Sequence, residues 1–243
     1  MGSIMSMTKK TSVFIPCIFD HWHYLSMLIE CYNYGTIKPD EIVIFMSGVE
    51  EKKFGTNKNV VHQTWNIEKS NFDLKIIIKE NVFMPSEARN QALDVCAGEI
   101  IIMQDADDLP TPNRVESILN AFESYTIDVF IHGYMLFEDY YKKRCGIFNH
   151  KTFYKKDKIF DEDKNIICPT PLTCGAAIYS RKVLSEKKYI TPKSDEFAQL
   201  TGEDILMAQN CSDYNVMATN EPLYIYRNKS PYYDGLIKRE LEK

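Results

Sequence analysis

The sequence predicts an α/β fold, a mostly parallel central sheet flanked by helices. Two observations carry this expectation. Short apolar runs alternate with segments of helical periodicity through the first 137 residues, and that alternation is the mark of a sheet built through helical, right-handed crossovers. The runs are also continuously apolar, as in strands buried on both faces.

SVFIPCIF (12–19) reads as a first strand, and a helix follows with Leu25, Leu28, Ile29 and Tyr32 on one face. EIVIFM (41–46) and LKIIIKE (74–80) read as the second and third strands, separated by a polar surface excursion over 49–72. Pro85 and Ser86 open a helix whose stripe is Ala88, Ala92, Val95 and Cys96, closed by Gly98. Ile100 to Met103 is the fourth strand. Thr111 and Pro112 suit the N-cap and first position of a helix that buries Val115, Ile118, Leu119 and Phe122. DVFIHGYMLF (128–137) is a fifth strand, and KKDKIFDEDKN (155–165) reads as a mobile charged loop.

At 243 residues and 44% hydrophobic content, the chain suits one large domain with a sizeable core. A net charge of −5 argues against nucleic acid as the main partner. No apolar run approaches membrane-spanning length, and residues 1–10 read as a tag or disordered leader, too polar for a signal peptide. Seven scattered cysteines without a C-x-x-C pair fit reduced thiols in a cytoplasmic setting. Oligomeric state is not legible.

The chemistry concentrates in GEIIIMQDADDLPTP (98–112), where the fourth strand runs into Asp105, Asp107 and Asp108. Ligands of open α/β sheets bind beyond the carboxyl ends of the strands. Carboxylates crowded there are costly to desolvate, and a hard divalent cation with oxygen ligands offsets the cost. Mg2+ or Mn2+ held by one or two carboxylates commonly takes its other ligands from substrate phosphates. Alone, the triplet also fits a solvated acidic turn.

Three further segments matter. PSEARNQAL (85–93) places Arg89 and Asn90 near the start of a helix leading to the acidic strand, although an exposed helix arginine has the same pattern. TGEDILMAQNC (201–211) puts Glu203 and Asp204 in a first helical turn behind a possible Thr201 cap. First-turn acids also simply complement the helix dipole. In EPLYIYRNKS (221–230) a short strand, 223–226, delivers Arg227 and Lys229, a pair suited to a diphosphate or to an ordinary basic loop.

Taken in order, these segments resemble the family-two glycosyltransferases of the GT-A fold, a Rossmann-like α/β architecture that uses nucleotide sugars. The resemblance covers about residues 11–230. It is carried by Ile15-Pro16, S-x-A-R-N at 86–90, A-x-G-E at 97–99, D-x-D-D at 105–108, C-G-A-A at 174–177, G-E-D at 202–204 and P-L-Y-x-Y-R at 222–227. It implies a donor-binding half over 11–135 and an acceptor-binding, catalytic half of the same domain over 136–243.

By position, the resemblance implies that Asp105 contacts the donor's ribose or sugar and shares with Asp107 the binding of Mn2+ or Mg2+, with Asp108 in support. Arg89 would contact donor groups, and Pro16 and Cys17 would lie beside the nucleobase. Asp204 would be the general base for the acceptor hydroxyl and Glu203 would position the acceptor. Two departures stand out. The second strand ends Phe45-Met46-Ser47-Gly48, so Ser47 takes the place of an acidic donor contact and nucleotide choice is left open. Lys229 stands where the family often has a histidine; it can pair with phosphate but cannot ligate a metal while protonated.

The expected activity is metal-dependent, inverting transfer of a hexose, glucose or galactose favoured, from a UDP-sugar to a hydroxyl of a glycan, lipid-linked or protein-linked acceptor. UDP comes from the family resemblance. A sugar nucleotidyltransferase would carry a glycine-rich loop after the first strand, and CIFDHWHY has no glycine. A non-catalytic nucleotide-sugar-binding relative is disfavoured by retention of both D-x-D and G-E-D.

Overall fold

The structure, a computed structural model, describes residues 9–49, 72–137, 153–163, 176–190 and 202–227. Nine strands among these residues form one sheet. They are β1 (Thr11–Ile18), β2 (Glu41–Ser47), β3 (Asp73–Lys79), β4 (Ile100–Met103), β5 (Leu109–Pro110), β6 (Val129–Leu136), β7 (Phe153–Lys155), β8 (Ala177–Ser180) and β9 (Val216–Tyr226). The α-helices are α1 (Leu25–Asn33), α2 (Pro85–Asn90), α3 (Ala92–Val95), α4 (Arg114–Ser124), α5 (Arg181–Glu186) and α6 (Gly202–Asn210), and a 3-10 helix, Phe19–Tyr24, leads into α1.

The strand order is β3-β2-β1-β4-β8-β6-β9-β5, with β7 also on β9. The first four strands are parallel. β8 inserts antiparallel between β4 and β6, and β6 and β9 are again parallel. The mostly parallel sheet flanked by helices is the expected α/β architecture, and strands from both halves of the chain share it.

The core lies on both faces of the sheet. Val13, Ile15, Ile42, Ile44, Ile100 and Ile102 face α1 and α4 through Leu28, Ile29, Val115, Ile118 and Phe122. Their alternates Phe14, Val43, Phe45, Ile101 and Met103 share a second cluster with Ala88 and Ala92 of α2 and α3, Val183 of α5 and Met207 of α6. This two-sided burial is why the strands read as unbroken apolar runs. Each such side chain contributes about 1.5–3 kcal/mol.

Several elements differ from expectation. The helix opened by Pro85 breaks at Gln91 and ends at Val95. Gly98 does not cap it: a Cβ there would sit 2.6 Å from the Ser12 backbone nitrogen, so the glycine permits close approach to β1. The carbonyls of Leu93, Cys96 and Gly98 are instead bound by the Arg181 guanidinium. α4 begins at Arg114 because Thr111 still belongs to the ladder, its N–H donating to Leu223 O at 3.1 Å. β8 was not expected as a strand; only its first residue, Ala177, belongs to the C-G-A-A segment. β9 is 11 residues long, and Pro222 sits at the irregularity where its register against β6 shifts around Gly133. The 155–165 loop is anchored by β7 and by buried Ile159 and Phe160. Residues 1–8, 50–71 and 164–165 lie outside the described residues, so the leader, most of the 49–72 excursion and the end of that loop do too. Among the described residues no helix is long and apolar enough to cross a membrane, and Cys17, Cys31, Cys96 and Cys211 are free thiols.

Candidate functional site

The site forms where β4 ends. Gln104 to Asp108 turn off Met103, and β5 then pairs Leu109 with Ile225 and Pro110 with Tyr224. That pairing carries the end of β9 alongside the acidic turn. The Arg227 N–H donates to Asp108 Oδ1 at 2.6 Å and its Nε to Asp107 O at 2.7 Å. The Tyr224 hydroxyl accepts from the Asp105 N–H at 3.1 Å and donates to Asp105 Oδ2 at 3.2 Å. Gln104 Nε2 donates to the carbonyls of Asp105 (2.8 Å) and Asp108 (3.2 Å).

Arg89 joins this turn to the G-E-D helix. It is 6% exposed. Its Nη2 donates to Asp105 Oδ1 at 2.8 Å, and its Nη1 pairs with Glu203 Oε1. The guanidinium lies over the Tyr189 ring. Asn90, the next residue, clamps the Tyr189 backbone from both sides, donating to its carbonyl at 2.9 Å and accepting from its N–H at 2.8 Å. The S-x-A-R-N segment thus fixes both the arginine and the ring beneath it.

Charge is concentrated here. Burial, then Asp107 and Asp105, push the Asp108 carboxyl well above the usual carboxylate range, against the Arg227 N–H. Burial raises Glu203; Arg89 opposes this, while Asp204 and Asp105 add to it. Glu203 is buried and Asp204 half-buried in the first turn of α6. Asp107 is half-buried.

The other expected residues are placed as follows. Pro16 and Cys17 lie near the end of β1, and Ser47 ends β2, paired with Ile18. Cys17 is a core residue whose thiol is pushed up by burial and by Asp107, and Ser47 is buried. The Arg227 guanidinium sits between the rings of Tyr24 (4.8 Å) and Phe137 (4.5 Å). Thr201 and Lys229 lie outside the described residues, as do Cys174 and Gly175.

Sequence reasoning missed His21, Gln104, Arg114 and Tyr224. His21 lies in the 3-10 turn after β1, edge-on to Tyr24 at 5.8 Å. Burial lowers its pKa, while Asp107 and, more weakly, Asp105 pull it up. Its signal was its place, three residues past the carboxyl end of a parallel strand. The signal for Arg114 was a charge on the apolar stripe of α4, in line with Ile118 and Ala121.

Similarity to known proteins agrees with this geometry. No curated protein matches the sequence. Among solved structures, S. aureus TarS 1-349 in complex with UDP-GlcNAc superposes with a TM-score of 0.60 at 16% identity, covering 91% of this chain and 59% of that one. The chain therefore spans well under the full length of that protein. The mannosyltransferase PcManGT from Pyrobaculum calidifontis, in complex with GDP-Man and Mn2+, gives 0.64 at 14% identity, covering 95% and 60%. Glucosyl-3-phosphoglycerate synthase from Mycobacterium tuberculosis, with Mg2+ and UDP, gives 0.59 at 14% identity, covering 95% and 76%. These likenesses show a shared GT-A fold. The model of glycosyl transferase family 2 matches residues 12–187, well over half of the chain, and the protein belongs to that family.

Proposed function

We propose that the chain is a metal-dependent, inverting glycosyltransferase that moves a hexose, glucose or galactose favoured, from a UDP-sugar to a hydroxyl of a glycan, lipid-linked or protein-linked acceptor. The observation that carries this reading is Arg89, which ties Asp105 of D-x-D-D to Glu203 of G-E-D and so brings the acidic turn and the helix that carries Asp204 into one site. Similar folds bind UDP-GlcNAc, GDP-Man with Mn2+, and UDP with Mg2+, which supports a nucleotide-sugar donor.

The donor set suits a hard cation. Burial, with the charges of Asp107 and Asp105 beside it, pushes Asp108 toward its neutral form. Among the described residues no three His, Cys, Asp or Glu side chains converge as a cage. Mg2+ and Mn2+ fit such a set, because they take one or two carboxylates and complete their shell with phosphate and water. Asp107, with Asp105, would hold the ion. When bound, it offsets the charge on the departing diphosphate.

The protein's own groups do the rest. In this reading Arg227 would pair with the diphosphate, as would Lys229, which lies outside the described residues, and Pro16, Cys17 and Ser47 would border the nucleoside. Arg89 holds Asp105 toward the donor. Asp204 takes the acceptor hydroxyl proton as the oxygen attacks the anomeric carbon from the face opposite the leaving group. Glu203, held by Arg89, positions the acceptor.

A thermal-shift panel of nucleotides and nucleotide sugars, with and without manganese, tests the reading. Stabilisation scales as RT ln(1 + [L]/Kd), so UDP-glucose or UDP-galactose with manganese should give the largest rise. A larger rise with GDP-sugars would overturn the nucleotide assignment, and no rise with any donor would overturn the function.

A further inference from the structure

Arg114 is fully buried in the first turn of α4, beneath the acidic turn. A buried guanidinium is costly unless its donors are matched. Here Nε donates to His132 Nε2 at 3.2 Å, Nη1 to the Tyr32 hydroxyl at 3.2 Å and to Gln104 Oε1, and Nη2 to Met103 O at 2.9 Å. Its carbon lies 4.9 Å from the centre of the Tyr224 ring. These acceptors are all neutral groups.

The network dictates how its members point. Gln104 Oε1 accepts from Arg114 and from the Tyr32 hydroxyl at 2.9 Å, so the Gln104 amide nitrogen must face the carbonyls of Asp105 and Asp108. His132 Nδ1 donates to Gly133 O at 2.8 Å, which leaves Nε2 as an acceptor for Arg114. Burial and Arg114 together keep this imidazole neutral. The Tyr224 ring rests on Arg114, and its hydroxyl holds both the N–H and Oδ2 of Asp105. Burial and the carboxylates of Asp105 and Asp108 keep that hydroxyl protonated.

We propose that Arg114 is a positioning residue for sugar transfer, acting through Gln104 and the Tyr224 hydroxyl to set the backbone and carboxylate of Asp105 before the donor arrives. The inference rests on the reading of Asp105 as a donor contact. It separates Tyr224 into two parts, a ring that packs and a hydroxyl that aims.

Tyr224→Phe keeps the ring and removes the hydroxyl. Affinity for UDP with manganese, measured by calorimetry, should fall about tenfold, the scale of one lost hydrogen bond to a charged group, while uridine affinity and melting temperature stay near wild type. Hydrogen exchange at the Asp105 amide should accelerate. Arg114→Lys keeps the charge but loses the fork, so its affinity for UDP with manganese should fall as well. If Arg114→Lys fails to fold, Tyr224→Phe still decides. UDP affinity in Tyr224→Phe within about twofold of wild type would overturn the inference. If wild type itself binds no UDP with manganese, the donor reading fails, and amide exchange alone decides: accelerated exchange in Tyr224→Phe keeps the positioning role, and unchanged exchange removes it.

Discussion

Arg89 Nη2 donates to Asp105 Oδ1 at 2.8 Å, and the same guanidinium grips Glu203 with its other terminal nitrogen. One planar fork therefore joins residues 16 and 114 positions away along the chain. Removing it leaves a buried carboxylate and its half-buried neighbour without their shared cation. Arg89→Met should cost about 3–5 kcal/mol, the usual penalty for breaking a buried pair on one side. Arg89→Lys should fall between, since an ammonium cannot span both acids. Urea unfolding of the three proteins measures this. A loss under about 1 kcal/mol for Arg89→Met, the scale of an exposed pair, would mean that solvent reaches the pair.

Asp107 offers a contrast. Burial first, and then the charges of Asp107 and Asp105, push Asp108 toward protonation, so removing Asp107 relieves part of the repulsion in the folded state. Asp107→Ala should abolish manganese-dependent UDP binding without lowering the melting temperature. Calorimetry and a melting curve on the same sample check both halves. Retained affinity would remove Asp107 from the metal.

His132 gives stability a pH dependence of defined sign. Its folded pKa is depressed by burial and by Arg114, so the unfolded chain binds the proton more readily. Its contribution is fully present above the unfolded histidine value of about 6.5. It is lost as pH falls from there toward the folded value, by at most about 1.4 kcal/mol per pH unit. His132→Gln keeps an acceptor for Arg114 but does not titrate. Between pH 7 and 5 the variant should lose less stability than wild type, and parallel unfolding curves across that range would contradict the assignment.

The parts of this molecule that were legible in the sequence are those set by local pattern. β1, β2 and β4 announce themselves because both faces are buried, so no polar alternation interrupts them; β3, an edge strand of exposed and half-buried positions, was legible only through its apolar run at 76–78. β8 is four residues of ordinary composition, and only its place between β4 and β6 makes it a strand. The first half of β9 was hidden by Asn220, Glu221 and Pro222, which mark a turn in most contexts but here meet the bulge at Gly133. At the site, the acidic turn and the G-E-D helix were visible as motifs, but their union through Arg89 was not, since the resemblance implied only that Arg89 contacts donor groups. Arg114 left only a charge on the apolar stripe of α4, and the Tyr224 hydroxyl left no signal. A buried arginine and a packed tyrosine look like any helix charge and any strand aromatic until residues 18 and 119 positions away meet them.

Asp204 is the residue on which the proposed mechanism turns. It stands beside Glu203 in the first turn of α6, but Glu203 is buried against Arg89 while Asp204 is half-buried. A carboxylate serving the helix dipole and a carboxylate serving as base predict different variants. Asn caps and completes a first turn nearly as well as Asp, so Asp204→Asn should leave melting temperature and UDP-sugar affinity near wild type. It keeps the shape of the side chain and cannot take a proton. Transfer to a working acceptor should then slow by about 10² to 10⁴. Glu203→Gln should act differently: it weakens the hold on Arg89, so stability and acceptor KM should shift more than the limiting rate. If Asp204→Asn transfers sugar near the wild-type rate, the base is elsewhere and Glu203 becomes the next candidate. If neither substitution slows transfer, inversion has lost its carboxylate, and the anomeric proton coupling of the product must decide the stereochemistry directly.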